Sequence, residues 1–170
     1  MSTHLPRLRR ALIASCAALL IPTAAAGAAN RDGADLRVIA EGVSLVDQRQ
    51  YTGSTRIRTS PRADCFGPGT GGSGAKVRLD GPNALGIIKH AQLSQRSLRP
   101  LQVTDAFDFG LGVCGIGGFE PPADGYWYIK RNHVGSQAGG DGTPVEHGDD
   151  ILWYLIEDFN DPTPAELEID

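Results

Sequence analysis

The chain has 170 residues, with 16 basic and 20 acidic side chains and a formal net charge of −4 at pH 7. The charges are unevenly spread, because ten acidic residues and no Lys or Arg follow Arg131. An uncompensated acidic third repels phosphate groups, which argues against nucleic acid as a partner. The simplest use of these carboxylates is a solvated, solubilising surface.

Residues 1–27 have the pattern of a secretory signal peptide. Arg7, Arg9 and Arg10 precede an apolar run over residues 11–21, and small residues follow Pro22. The run is shorter than the roughly 20 residues that a spanning helix needs, so we expect a secreted or cell-envelope protein with no stable membrane insertion. A lipoprotein cleavage box ending at Cys16 is the weaker alternative, because the apolar run continues beyond it.

The segment over residues 28–160 has the size of one domain. Residues 36–40 alternate as a first strand, and the β-branched residues of 51–59 indicate a second, with a bulge at Gly53. Residues 60–75 form a loop rich in turn residues. This loop carries Cys65, which together with Cys114 remains after removal of the leader.

An even pair of cysteines in an exported chain predicts a disulfide between Cys65 and Cys114. The bond would close a loop of nearly fifty residues and stabilise the fold by roughly 3–4 kcal/mol. Two buried free thiols are the alternative.

The segment from Asp80 predicts a turn followed by the main helix. Asn83 is the candidate N-cap, and apolar residues recur at helical spacing from residue 84 to Leu93. Residues 101–104 and 107–114 are further strand candidates, with glycines that mark bends.

Two aromatic strands dominate the last third of the domain. Residues 125–132 and 150–155 hold both Trp residues and three of the four Tyr residues, and a Gly-rich loop over residues 131–143 joins them. Residues 161–170 form an irregular acidic tail. This order of elements predicts an α+β domain in which one main helix packs on a mixed sheet.

Four short segments of the sequence resemble the transcobalamin C-terminal-like family, which comprises β-grasp domains of exported bacterial proteins. They are residues 80–86, 114–118, 127–132 and 148–153. The resemblance implies a β-grasp-like curved sheet that grips one helix. Cobalamin binding is not carried over, because the large helical domain that helps to enclose cobalamin in transcobalamin does not fit within this chain. The chain also departs from the family at His133, where glycine is usual.

Catalytic and metal-binding candidates are weakly patterned. The glycine repeats at 67–72 and 110–115 do not follow a strand and open a helix, as phosphate binding requires. His133, His147 and Asp149 could assemble a catalytic base or a metal site of a secreted hydrolase. A calcium site is another hypothesis, and its oxygen ligands would come from Asp141, Glu146, Asp149 and Asp150. The simpler interpretation is surface histidines and carboxylates that accept hydrogen bonds from turn amides.

The aromatic strands offer the best candidate for a binding surface. Side chains alternate between the two faces of a strand, so one set fills the core and the other can present a platform. The candidate platform residues are Tyr126, Trp127, Tyr128, Asn132, Trp153 and Tyr154. We therefore expect a monomeric module that binds a small molecule, a glycan or a protein, with no catalysis and no cofactor. A structural cell-envelope component is the third hypothesis.

Overall fold

A computed structural model describes Met1 and residues 32–63, 66–158 and 160. The expected signal peptide, Cys65 and the expected tail over residues 161–170 therefore lie outside the described residues. No helix in the described part of the chain combines the length and the apolar character that crossing a bilayer requires.

The described residues form short strands around one α-helix. In chain order the elements are β1 (Asp32–Ala40), β2 (Val43–Thr52), β3 (Thr55–Arg58), β4 (Lys76–Leu79), α1 (Ala84–Ala91), a 3₁₀ turn (Arg96–Leu98), β5 (Leu101–Thr104), β6 (Gly112–Ile116), β7 (Tyr126–Arg131), β8 (Val134–Gly135) and β9 (Asp150–Ile156).

Five of the strands form one mixed sheet in the order β2-β1-β9-β7-β8. β1 runs parallel to β9, and the other neighbours are antiparallel. The remaining strands form two separate ribbons, β3-β4 and β5-β6. A mixed sheet with one α-helix agrees with the expected α+β class.

The core lies between one face of the sheet and α1. Leu36 and Val38 of β1 and Trp153 of β9 project towards the helix residues Leu85 and Ile88, and all five are buried. The helix begins where it was expected, because the Asn83 side chain accepts a hydrogen bond from the Gly86 amide at 2.7 Å and so caps the first turn. It ends at Ala91, and Leu93 is 78% exposed.

Three features differ from the sequence-based expectations. The expected strand over residues 51–59 is interrupted at Gly53 and Ser54, where the Ser54 hydroxyl accepts a hydrogen bond from the Gly81 amide at 2.9 Å. Its first part is the end of β2, which starts at Val43 and was missed because the middle of the strand, Asp47 to Arg49, is polar and exposed. The expected strand over residues 107–114 begins only at Gly112 and ends at Ile116, and the stacked Phe107 and Phe109 rings, with centroids 5.0 Å apart, precede it.

Candidate functional site

The two tryptophans belong to the set that faces the core. Trp127 is 6% exposed and Trp153 is 1% exposed, so neither presents a flat ring on the surface as the platform hypothesis required. The Trp153 indole N–H donates to the Ala84 carbonyl at 3.1 Å and so ties β9 to the first turn of α1. Gly140 packs against this ring so closely that a Cβ atom there would lie 2.6 Å from it.

The tyrosines project from the opposite face of the same strands. The Tyr128 ring contacts Tyr126 at 5.8 Å and Tyr154 at 5.4 Å between centroids. Tyr154 is fully buried, and the Lys130 ammonium lies 5.8 Å from its ring centroid. Burial of its hydroxyl group, and to a smaller extent the nearby Tyr128, raises the pKa of Tyr126. Tyr126 and Tyr128 are therefore the partly exposed members of the predicted platform.

Asn132 belongs to a hydrogen-bonded network and not to an aromatic platform. Asn132 and His133 have φ values of 51° and 66°, as a two-residue hairpin turn between β7 and β8 requires. The Asn132 amide group donates to Asp149 at 2.8 Å, and its oxygen accepts from the Asp150 amide at 2.9 Å. This side chain therefore links the turn to the start of β9.

Asp149 is the buried centre of that network. Its carboxylate contacts the Arg131 guanidinium at 2.7 Å and accepts from the Glu146 amide at 2.7 Å. Burial is the largest single influence and opposes ionisation, but the hydrogen bonds from Glu146, Asn132 and Arg131 together outweigh it and hold the pKa of Asp149 below its usual value. Asp149 also raises the pKa of Arg131, so both groups stay charged.

The proposed hydrolase and calcium sites do not assemble in the structure. His133 lies 3.8 Å from Asp150, whereas His147 contacts Arg49 of β2 at 3.4 Å. Asp141 accepts from the Leu111 amide at 3.3 Å, away from the Asp149 network. Across residues 32–63 and 66–158, no group of three or more His, Cys, Asp or Glu side chains is placed to hold a metal ion.

An open cleft of about 970 Å³ borders the N-terminal half of β7. One wall is formed by residues Tyr126 to Ile129, and the other by Leu111 and Val113 at the start of β6. The loop over residues 136–140 closes one end. Its volume lies within the range of small-molecule sites. We refer to this feature as the β6–β7 cleft.

The rim of the β6–β7 cleft carries exposed aromatic side chains. Phe109 is 72% exposed and Phe66 is 40% exposed, and both contact Phe107. The loop that carries Phe66 is held in place by Ser73, whose amide and hydroxyl both donate to Asp105 at 2.6 Å. The Ser73 hydroxyl and then its amide lower the pKa of Asp105, which keeps this tether ionised.

The indole N–H of Trp127, a residue that lines this cleft, has no hydrogen-bond partner within the described residues. This N–H has almost no solvent-accessible surface, so it is an unsatisfied donor inside the wall of the cleft. Such a donor costs about 1–3 kcal/mol when it is left unsatisfied.

Cys114 lies fully buried in β6, and its Sγ atom is 4.0 Å from the carbonyl oxygen of Ala63. Ala63 precedes Cys65 by two residues, and Cys65 lies outside the described residues. The disulfide therefore stays a prediction, and the position of Cys114 is compatible with it.

Sequence reasoning found β7 and β9 but missed the second wall and the rim of the cleft. Leu111, Val113 and the loop over residues 136–140 approach β7 only through the tertiary fold. A signal was available in the aromatic residues Phe66 and Phe109, each of which directly precedes a glycine.

No protein-family model matches the sequence, and neither does any curated protein. Among solved structures, haptocorrin in complex with Cbi is similar in fold, with a TM-score of 0.52 and 9% identity. The match covers 77% of this chain, which spans 26% of the haptocorrin length. A candidate metal-binding protein from Ruminococcus gnavus matches at a TM-score of 0.41 and 13% identity, over 75% of this chain and 99% of that one.

Proposed function

We propose that the chain is an exported binding module of β-grasp type that takes its ligand in the β6–β7 cleft and performs no catalysis of its own. The observation that carries this proposal is the open cleft of about 970 Å³ along the N-terminal half of β7. The exposed Phe109 and Phe66 rings add apolar contact area at the rim.

The fold supports a binding role over the alternatives. The likeness to haptocorrin, solved in complex with Cbi, agrees with the resemblance of the sequence to transcobalamin C-terminal-like domains. This chain spans only a quarter of that protein, so a corrinoid is one candidate among small molecules, glycans and proteins. His133 and His147 have different polar partners, Asp150 and Arg49, which gives no geometric reason to prefer a hydrolase.

Export and the disulfide belong to the same proposal. A chain that leaves the cytoplasm reaches a compartment in which a bond between Cys65 and Cys114 persists. The buried position of Cys114 beside Ala63 supports this pairing. The bond would join β6, one wall of the cleft, to the segment that precedes Phe66 at its rim.

Thermal shift measurements test the proposed function. The purified protein is heated with corrinoids, haem, oligosaccharides, cell-wall fragments, calcium and zinc. A ligand that binds only the folded state stabilises it by about 2.7 kcal/mol at a concentration 100 times its Kd. We expect a saturable rise in Tm for one organic class.

Two exposed residues provide a matched pair of variants for this test. Phe109 at the rim and Leu93 after α1 are similarly exposed, at 72% and 78%. F109S should reduce the ligand-induced rise in Tm, whereas L93S should not, and neither should change the Tm of the free protein by much. An equal effect of both variants on ligand binding would argue against the β6–β7 cleft as the site.

A further inference from the structure

Within the part of the chain that the structure describes, the N-terminal half of β7 is a sheet edge. β9 pairs with all six residues of β7, from Tyr126 to Arg131, whereas β8 pairs only with Lys130 and Arg131. The Ser136 amide adds one more bond on that side, to the Ile129 carbonyl at 2.8 Å. Within the described residues, Trp127 and Tyr128 therefore have a paired strand on one side only.

The register of the sheet fixes which backbone groups point into the cleft. The Asn132 amide donates to the Asp150 carbonyl at 2.8 Å, so the even-numbered residues of β7 direct their backbone groups towards β9. The odd-numbered residues direct theirs away from β9. The N–H and C=O of Trp127 and the N–H of Ile129 consequently face the cleft side, and within the described residues none of them has a hydrogen-bond partner.

A built turn keeps this edge open. The chain leaves the β7 edge at Ser136, whose hydroxyl contacts the Thr143 hydroxyl at 2.6 Å and accepts from the Ala138 amide at 3.2 Å. The following residues then pack on α1, where the Gly140 carbonyl accepts from the Leu85 amide at 2.8 Å. The loop over residues 136–140 therefore packs on α1, and it does not extend β8 alongside Trp127.

The charges of the cleft have one sign. Its charged lining residues are Asp124 and Asp158, both exposed, and no Lys or Arg is among the described residues that line it. Carboxylates at the rim favour a cationic occupant, and the effect weakens with salt. An unpaired backbone edge favours an occupant with its own alternating N–H and C=O groups.

We propose that the β6–β7 cleft binds an extended basic peptide, which adds as a strand to the free edge of β7. The peptide backbone bonds the N–H and C=O of Trp127 and the N–H of Ile129, and Lys or Arg side chains of the peptide reach Asp124 or Asp158. This assignment rests on the proposed function, because it names the ligand class of the same cleft. It makes the partner a polypeptide segment and not a compact small molecule.

Amide hydrogen exchange by NMR tests the assignment on the ¹⁵N-labelled protein. The probes are pools of hexapeptides blocked at both ends, with Lys or with Glu at alternate positions and small or β-branched residues between them. A third pool repeats the Lys pool with every backbone nitrogen methylated, which removes the donors that a strand needs. The Lys pool should slow exchange of the Trp127 and Ile129 amides about tenfold at about ten times its Kd. The Glu and methylated pools should leave both rates unchanged.

Charge reversal at the rim sharpens the test. D124K/D158K should transfer the protection from the Lys pool to the Glu pool, whereas D80K, a reversal at an exposed carboxylate outside the cleft lining, should change neither. Equal protection by the methylated pool, or none by any pool, overturns strand addition. Protection that grows with protein concentration alone overturns it in favour of a second copy of the chain.

The outcome for strand addition is separable from the outcome for the proposed function. A compound from the thermal shift panel could move the Trp127 signals while no peptide pool protects the amides. That result would keep the cleft as a small-molecule site and would contradict peptide binding. Failure of both the panel and the pools removes the binding role of the cleft as well.

Discussion

At the scale of single residues, Asp149 holds together the turn of the β7-β8 hairpin and the start of β9. It is buried, forms an ion pair with Arg131, and accepts hydrogen bonds from the Asn132 side-chain amide and the Glu146 backbone amide. D149N should lower the free energy of unfolding by about 2 kcal/mol at neutral pH, because charge-assisted bonds are lost inside the protein. Urea denaturation measures this loss. D150N is the control, since Asp150 is half-exposed and its 3.8 Å pair with His133 contributes little.

The same substitution has a defined pH dependence. The pKa of Asp149 is lower in the folded state than in the unfolded chain, where it is about 4. The stabilisation is therefore fully present above pH 4 and is lost as the pH falls through the lower folded-state value. The difference between the parent protein and D149N should shrink below about pH 4, and a constant difference down to the lowest pH would contradict the role of this charge.

The two tryptophans form a natural pair for measuring the cost of an unsatisfied donor. Both are buried. Within the described residues the Trp153 indole donates a hydrogen bond to the Ala84 carbonyl, whereas the Trp127 indole donates none. W127F and W153F remove the same atoms, so W153F should be the more destabilising by about 1 kcal/mol. Chemical denaturation of both variants gives the comparison. Equal losses would mean that the Trp127 donor is satisfied in the free protein.

At the scale of elements, the β7-β8 hairpin carries a residue that its turn disfavours. Both central residues have positive φ, and an Asn-Gly pair suits such a turn better than Asn132-His133. H133G should raise the free energy of unfolding by about 0.5 kcal/mol, because glycine adopts this conformation without strain. H133A removes the same imidazole but keeps a Cβ atom, so it should give no gain. Denaturant titration would refute the strain argument if both variants gained equally.

The elements that sequence reasoning predicted well are those set by local patterns. Asn83 caps α1 and the aromatic residues mark β7 and β9, because capping and period-two alternation are local signals. β2 was only partly found, since an exposed edge strand needs no apolar alternation over most of its length. The two-residue strand β8 is set by the turn at Asn132 and His133 and has no periodicity to detect.

At the scale of the whole molecule, the candidate site lies between the five-stranded sheet and the β5-β6 ribbon, a boundary that no local sequence pattern predicts. The five-stranded sheet and the β5-β6 ribbon approach each other at β6 and β7 without pairing, and the cleft occupies the space between them. The sequence predicted Trp127 as part of a surface platform. In the fold Trp127 is instead a buried residue in one wall of the β6–β7 cleft. Its burial was not predictable locally, because most of the other residues of the core are distant from it in sequence.

The predicted disulfide would link one wall of the cleft covalently to its rim. Cys114 follows Val113 in one wall of the cleft, and Cys65 precedes Phe66 at its rim. Reduction should lower the free energy of unfolding by about 3 kcal/mol, and it should also weaken ligand binding because the rim loses a covalent anchor. C65A/C114A is the control, since its unfolding should not respond to reductant.

Mass spectrometry of the unreduced protein decides whether the bond exists, independently of its energetic effect. The bonded protein is two hydrogens lighter than the reduced one and takes no alkylating agent at either cysteine. The buried Cys114 could resist alkylation by burial alone, so the reaction is run in denaturant, where only a covalent bond protects it. Two alkylated thiols under those conditions would contradict the bond, and the rim of the cleft would then depend on the hydrogen bonds of Ser73 to Asp105.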